Sequence, residues 1–306
     1  MLGMAVGDAL GLPALFLTPV EIRRRFGSRG IADFVGSDYH PKGAVSDDTQ
    51  TALATAHAIV EARGRGVDAL GAAAGSRLVA WSRGTNLDRA PDATLMRGIN
   101  RLSEGVPWRG SGDPGSKSAG SLARAVPIGA AYAGSPAAIR EMAQAACFPT
   151  HAHPIAVASF VSAALLTSYA VTDVPMRSWE GKLLRGLGDL ASEVSVKLNL
   201  AFRLKRDRPL KAFVEIGEGW TADEVVAKAL YCVLHHPADF GDAVLLACNA
   251  SGDTSAAAAI AGAISGAMLG KAGIPPRWRN AVENAGELSA VARELAGICE
   301  SSLAVA

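Results

Sequence analysis

Two acidic segments carry the strongest chemical signal in this chain: Ser46-Asp47-Asp48-Thr49 and, much later, Ser251-Gly252-Asp253-Thr254-Ser255. Each packs carboxylates and hydroxyls into a few residues. An oxygen-only donor set suits a hard cation such as Mg²⁺ or Mn²⁺ and does not suit zinc. Each segment also precedes a helical pattern, so each reads as a helix N-cap. In the first, Ser46 would accept from first-turn amides and the acidic pair would favour the positive helix end. The two readings are compatible, because a helix start gathers such oxygens on one rim. If folding joins the two rims, a metal site with hydrolytic chemistry results; if not, they are two caps.

Other segments add weaker signals. Gly3-Met4-Ala5-Val6-Gly7-Asp8-Ala9-Leu10-Gly11 reads as a tightly packed helix in which Asp8 bonds a neighbouring backbone, with no metal role. Lys117-Ser118-Ala119-Gly120-Ser121-Leu122-Ala123-Arg124 follows a glycine-rich loop, and amides at such a junction suit a phosphate. The GK[ST] order of a Walker A loop is missing. Thr150-His151-Ala152-His153-Pro154 holds two histidines without further ligands at zinc spacing. Contact to a substrate phosphate or ribose and a plain structural loop are its alternatives. His235-His236-Pro237 follows a predicted helix, where the imidazoles complement the negative helix end.

The elements that must position these residues are helical. Ala, Leu, Arg and Glu recur at three- and four-residue spacing over Thr49–Arg63, Pro136–Ala146, Ala222–His235 and Val282–Cys299. β-branched alternation is scarce, with Val45 and Ile128 in runs too short for a large sheet. The expectation is an all-α protein of about ten or more helices. Gly/Pro/Ser clusters mark loops at Gly36–Gly43, Trp108–Ser118, Phe148–Pro154 and Lys271–Pro276. The run Ala256–Gly270 (AAAAIAGAISGAMLG) predicts a central helix buried on all sides, whose small residues let neighbouring backbones approach closely.

Bulk properties narrow the function. With 306 residues, 49% hydrophobic and 19% charged, the chain can bury a sizeable core. No linker or repeat divides it, so a single domain over residues 1–306 is expected. A net charge of +1 without a basic tract asks for neither nucleic acid nor an anionic membrane. Cys147, Cys232, Cys248 and Cys299 lie far apart, as expected of buried thiols in a reduced, cytoplasmic protein. Met1–Leu15 lacks the features of a signal peptide. Pro154–Val171 and Ala256–Leu269 are apolar, but the first is at the lower length limit for a membrane span and the second is too short. Both are expected to be core helices.

Taken in order, GMAVGDALG, SDDTQ, the glycine-serine loop ending at Arg124 with AVPIG after it, THAHP, and GW-x-x-x-E before SGDTSAAAAIAGAISGAMLG resemble the ADP-ribosylglycohydrolase family. The resemblance runs from Leu2 to about Gly297. That family includes hydrolases that remove ADP-ribose from modified arginine or serine, and also a jellyfish lens crystallin. The resemblance implies an all-α orthogonal multi-helix bundle with two Mg²⁺ or Mn²⁺ ions that the ribose hydroxyls reach. Ser46, Asp47 and Asp48 match its first metal motif, and Asp253 matches the first Asp of a D-x-D motif. Ser118, Gly120, Ser121, Arg124, His151 and His153 match regions that hold the diphosphate and ribose. Asp47 or Asp48 is the implied general base.

The chain departs from the family pattern at four places. Ser255 stands for the second Asp of D-x-D, Ala256 for the following hydroxyl, Leu15 for a frequent Glu, and Ala123 for a Met. Asp47, Asp48 and Asp253 with Ser46, and Ser255 as a weak hydroxyl ligand, suit one ion that keeps its waters and form a poor cage for two. The expected function is metal-dependent cleavage of the anomeric bond of ADP-ribose on a protein or small molecule. A non-catalytic binder on the same scaffold and an enzyme for another N-ribosyl compound are the alternatives.

Overall fold

A computed structural model describes residues 1–38, 40–84 and 88–303. Among them there is no β-strand, only two isolated bridges, Asp113 with His151 and Ser118 with Thr221. The all-α expectation holds, and the core is built on one helix pair. The helix Thr254–Gly273 runs through the centre, buried from Thr254 to Ser265. The helix Leu2–Gly11, buried from Gly3 to Gly11, lies against it. Gly3, Gly7 and Gly11 share one face at four-residue spacing. A Cβ at Gly7 would sit 1.9 Å from the Ala258 carbonyl oxygen, at Gly3 2.3 Å from that of Gly262, and at Gly11 2.3 Å from that of Thr254. The chains run antiparallel, and contact is backbone on backbone. Thr254 Oγ1 closes the far end by donating to the Gly11 carbonyl at 2.9 Å. The small-residue run is therefore explained by close approach.

Caps set where the site-bearing helices begin. Ser46 Oγ accepts from Asp48 N–H at 3.1 Å and starts the helix Asp47–Glu61. Asp92 accepts from Leu95 N–H at 2.6 Å and starts Ala93–Ser103. Asp253 accepts from Ala256 N–H at 3.0 Å and starts the central helix.

Ala222–His235 and Pro136–Cys147 match their sequence patterns to within one residue. The last helix differs: it spans Ala285–Leu303, later than the expected Val282–Cys299, because Asn284 takes a left-handed conformation at φ 58°. Trp108–Ser118, read as all loop, opens with a helical turn at Trp108–Ser111. Pro154–Val171 and Thr254–Gly273 are both long and apolar enough to cross a membrane by length and composition, so the second is not too short as its apolar run suggested. In this fold 89% of the first window and 56% of the second are buried inside the protein. The thiols of Cys147, Cys232 and Cys248 are buried, Cys299 is partly so, and all four are unpaired.

Gly7→Ala should destabilise the protein by about 1–3 kcal/mol, because its methyl meets backbone that cannot step aside. Gly297→Ala, in a helix where a Cβ meets nothing within 4 Å, should be neutral or stabilising by up to about 1 kcal/mol. Urea denaturation of both variants checks the contrast; equal effects would refute the backbone-contact account.

Candidate functional site

Three helix starts and three loops, at Leu15–Phe16, Ser118–Gly120 and Trp220, converge on a cleft of about 440 Å³. Asp47 and Asp48 come from the first capped helix, Asp92 from the second, and Asp253 with Ser255 from the central helix. Ser118, Ala119 and Gly120 form one wall, and Leu15, Phe16, Pro91 and Trp220 line the remainder. Phe16 and Trp220 stack across it with ring centroids 5.8 Å apart and planes 15° apart. A larger, mainly apolar groove of about 540 Å³ lies elsewhere, lined by residues such as Met1, Ala130, Thr167 and Leu288. It holds no carboxylate cluster, so the chemistry belongs to the smaller cleft.

Asp8 organises the first segment from behind. Its Oδ2 accepts from Ser46 N–H (3.0 Å), Thr49 N–H (3.2 Å) and Thr49 Oγ1 (2.6 Å). The backbone-bonding role expected of Asp8 is what the geometry gives. Asp47 N–H donates to the Arg89 carbonyl at 2.9 Å. Arg89 in turn forks onto Glu283 at 2.8 and 3.1 Å and donates to the Val45 carbonyl. On the far side, Asp253 N–H donates to the Gly219 carbonyl at 2.8 Å, and its Oδ1 also accepts from Ser255 Oγ at 3.0 Å. Asp253 is thus held to the loop that carries Trp220.

Asp92 is the carboxylate that reading the sequence missed. The only local signal was an Asp before an apolar helical run, which a simple cap explains. In the fold its Oδ2 accepts from Ser118 Oγ, and His151 Nε2 lies 3.7 Å away, beyond hydrogen-bond reach. A Cβ at Gly120 would sit 2.2 Å from Asp92 Oδ2, so glycine is needed for the loop to come this close. Phe16 and Trp220 also went unassigned, because exposed aromatics carry no spacing signal.

Several residues expected to touch a ligand stand elsewhere. Ser118 and Gly120 line the cleft, but their amides are already engaged with Ser116 Oγ and Ser118 Oγ. Ser121, Arg124 and His151 are fully buried behind the wall and absent from the cleft lining. Arg124 donates to the Ala146 carbonyl at 3.0 Å and to Thr150 Oγ1, which contacts His151 Nδ1 at 2.8 Å. His153 caps the helix Pro154–Val171, accepting from Ile155 N–H at 3.1 Å, and lines a separate hollow with Asp189 and Glu193. Ser46 Oγ is occupied as a cap beside the cleft.

The electrostatics are those of an uncompensated acid cluster. Burial, then repulsion from Asp8, Asp92 and Asp253, raises the Asp47 carboxyl well above the usual range. Burial, then Asp47 and Asp253, does the same to Asp48. Burial also raises Asp253, and it raises Asp8 to about 6. Asp92 goes the other way. Burial opposes its charge, but the His151 ring, the Ser118 hydroxyl and the Leu95 amide outweigh it and hold the carboxyl well below the usual range.

This donor set fits a hard dication. It is all oxygen at the cleft, and buried Asp48 Oδ1 has no protein partner. Among the described residues, no three His, Cys, Asp or Glu side chains stand together so as to hold a metal ion between them. The arrangement therefore suits an ion that keeps several waters, as Mg²⁺ does with one or two carboxylates.

Raised carboxyls bind protons that the unfolded chain has already lost, so they subtract stability as pH climbs. In chelator, stability should fall from about pH 4 through about pH 6 and above, following Asp8, Asp47, Asp48 and Asp253. Asp92, held low, opposes this only in more acid solution. Mn²⁺ should raise Tm more at pH 8 than at pH 5. Thermal melts with and without Mn²⁺ check this, and no Mn²⁺ shift at either pH would count against the dication fit.

The chain is similar to known proteins along nearly its whole length. The profile of the ADP-ribosylglycohydrolase family matches residues 1–303. An uncharacterized protein of Archaeoglobus fulgidus is 31% identical over 96% of this chain and 94% of its own length. The ADP-ribosylarginine hydrolase Tri1 of Pseudomonas putida is 29% identical over 96% of this chain and 76% of its own. The ADP-ribosyl-[dinitrogen reductase] glycohydrolase of Rhodospirillum rubrum is 26% identical over 90% and 86%. A solved structure described as an ADP-ribosylglycohydrolase-related protein complex superposes with a TM-score of 0.76 at 25% identity, covering 97% of this chain and 95% of that one. With its matching profile, its helical architecture and its carboxylate-lined cleft, this chain belongs to the ADP-ribosylglycohydrolase family.

Proposed function

We propose that this protein is a metal-dependent hydrolase that releases ADP-ribose from an ADP-ribosylated protein side chain, with arginine-linked ADP-ribose as the favoured substrate. The observation that carries the reading is the gathering of Asp47, Asp48, Asp92 and Asp253 in one cleft beneath an aromatic pair. Among the described residues no lysine or arginine lines that cleft, which complements a cationic guanidinium leaving group. The Pseudomonas putida relative's name, an ADP-ribosylarginine hydrolase, points the same way.

Two of the carboxylates Asp47, Asp48 and Asp253, completed by waters, would hold one Mg²⁺ or Mn²⁺, with Ser255 Oγ in the same cleft. Such an ion lowers the pKa of bound water and orients ribose hydroxyls. Hydrolysis adds water at the anomeric carbon and breaks its bond to the side-chain nitrogen. The proton lost by water goes to a cleft carboxylate, and the departing nitrogen regains one. Positive charge grows on the sugar in such a step. Asp47 or Asp48 suits the base role, since burial raises both carboxyls toward the working range where a base is effective, whereas Asp92, held well below the usual range and engaged by Ser118 and Leu95, is a weak base that keeps its charge. Phe16 and Trp220 offer flat apolar faces to the substrate at the mouth.

A binder without turnover is the second reading. It is favoured by Leu15 and Ser255, which both line the cleft and bring no carboxylate to it. An assay of ADP-ribose release from arginine- and serine-modified peptides, with Mn²⁺ or chelator, separates the two. Mn²⁺-dependent release from the arginine peptide supports hydrolysis. Stoichiometric ADP-ribose binding without release supports the binder. Asp48→Asn should lower kcat by roughly 10²–10⁴-fold, and undiminished turnover would remove Asp48 from the mechanism. Ser255→Asp should tighten Mn²⁺ binding by about tenfold, some 1.4 kcal/mol, while lowering stability in chelator by placing a second carboxylate beside Asp253. Calorimetric titration and melts of that variant check both signs.

A further inference from the structure

Lys228, on the helix Ala222–His235, is 1% exposed, and none of the ion pairs among the described residues includes it. Its Nζ donates instead to the carbonyls of Glu218 (2.7 Å) and Ser251 (3.1 Å) and to Ser251 Oγ (3.1 Å). One turn earlier on the same helix, Glu224 Oε2 accepts from Gly219 N–H (2.9 Å) and Trp220 N–H (3.3 Å). Residues at this spacing commonly pair with each other. Here they divide the work: Glu224 holds the amides of the Trp220 loop, and Lys228 holds carbonyls from that loop and from the loop that enters the central helix.

The two loops are otherwise joined by Ser251 Oγ, which donates to the Glu218 carbonyl at 2.9 Å, and by backbone contact. Asp253 N–H bonds the Gly219 carbonyl at 2.8 Å. Gly252 takes φ 86°, and a Cβ there would lie 2.3 Å from the Gly219 oxygen and 2.4 Å from that of Glu218. Such a junction turns several carbonyl oxygens toward one another, and a buried polar group left unpaired is costly. A buried ammonium with three donors meets that need, where an apolar residue of equal volume would not. Trp220 and Asp253, on the outer side of this junction, both line the cleft.

We propose that Lys228 is a positioning residue of the cleft, crosslinking the Glu218–Trp220 and Ser251–Asp253 loops so that Asp253 faces the other carboxylates and Trp220 stacks on Phe16. The proposal rests on the reading of Asp253 as part of the metal-holding cluster. Its test uses Lys228→Met in the full chain, with Mn²⁺ affinity by calorimetry and hydrogen exchange by peptide as readouts. The expected result is Mn²⁺ binding weakened by about tenfold or more, with faster exchange confined to residues 216–222 and 249–254. Exchange in the helix Ala285–Leu303 should not change, which a general loss of stability would not leave intact. Wild-type Mn²⁺ affinity together with wild-type exchange in both loops would overturn the proposal. If Lys228→Met does not fold, Lys228→Gln, which keeps two N–H donors on a shorter stem, takes its place: intermediate weakening supports the role, and wild-type values in both readouts overturn it. Asp253→Asn separates the two layers. Should that variant bind Mn²⁺ as wild type does, the metal reading fails, and loop exchange in the Lys228 variants alone decides the positioning role.

Discussion

The structure depends on one close approach. The face of Gly3, Gly7 and Gly11 lies directly on the backbone of Thr254, Ala258 and Gly262. No side chain intervenes, so the two helices sit closer than any larger residues would allow. That contact decides where Asp8 and Asp253 stand, since each belongs to one of the paired helices. Asp8 then takes the start of the Asp47–Glu61 helix onto its Oδ2 through two amides and a hydroxyl. A packing constraint made from the smallest residues is thereby converted into the convergence of carboxylates from distant parts of the chain.

The convergence is electrostatically expensive, and the surroundings show how it is supported. Three of the cleft carboxylates start helices, where backbone amides and the positive helix end favour their charge. Arg124 is buried behind the wall without a direct carboxylate partner, and its charge acts on Asp92, Asp47 and Asp48 from a distance. Those supports suffice for Asp92 and not for Asp47, Asp48 and Asp253, whose carboxyls stay raised. The cleft is thus left with a carboxylate cluster short of positive charge.

How much of this was legible varied by residue. The helix Ala222–His235 was readable to the residue, because its apolar positions repeat at helical spacing and its ends carry ordinary start and stop signals. The start of Ala285–Leu303 was not, because a left-handed Asn284 overrides the apolar pattern that begins at Val282. Asp47, Asp48 and Asp253 announced themselves by clustering with hydroxyls. Asp92 did not, since one Asp before a helix is indistinguishable from a cap until Ser118, Gly120 and His151 are folded around it. Arg124 and His151 were legible as important polar residues but not as buried ones; their partners, the Ala146 carbonyl and Thr150, become neighbours only in the fold.

By itself the sequence determined the helical class, the positions of the acidic helix starts and the small-residue faces that must pack. These are local properties, set by spacing, capping and side-chain size. Only the tertiary structure decided which oxygens share a cleft, that Asp92 is one of them, that His153 is not on its wall, and that Phe16 meets Trp220 at the mouth. Those outcomes turn on distances between residues far apart in the chain, and on burial that shifts charge by removing water. No local pattern encodes either quantity, because both are properties of the packed whole.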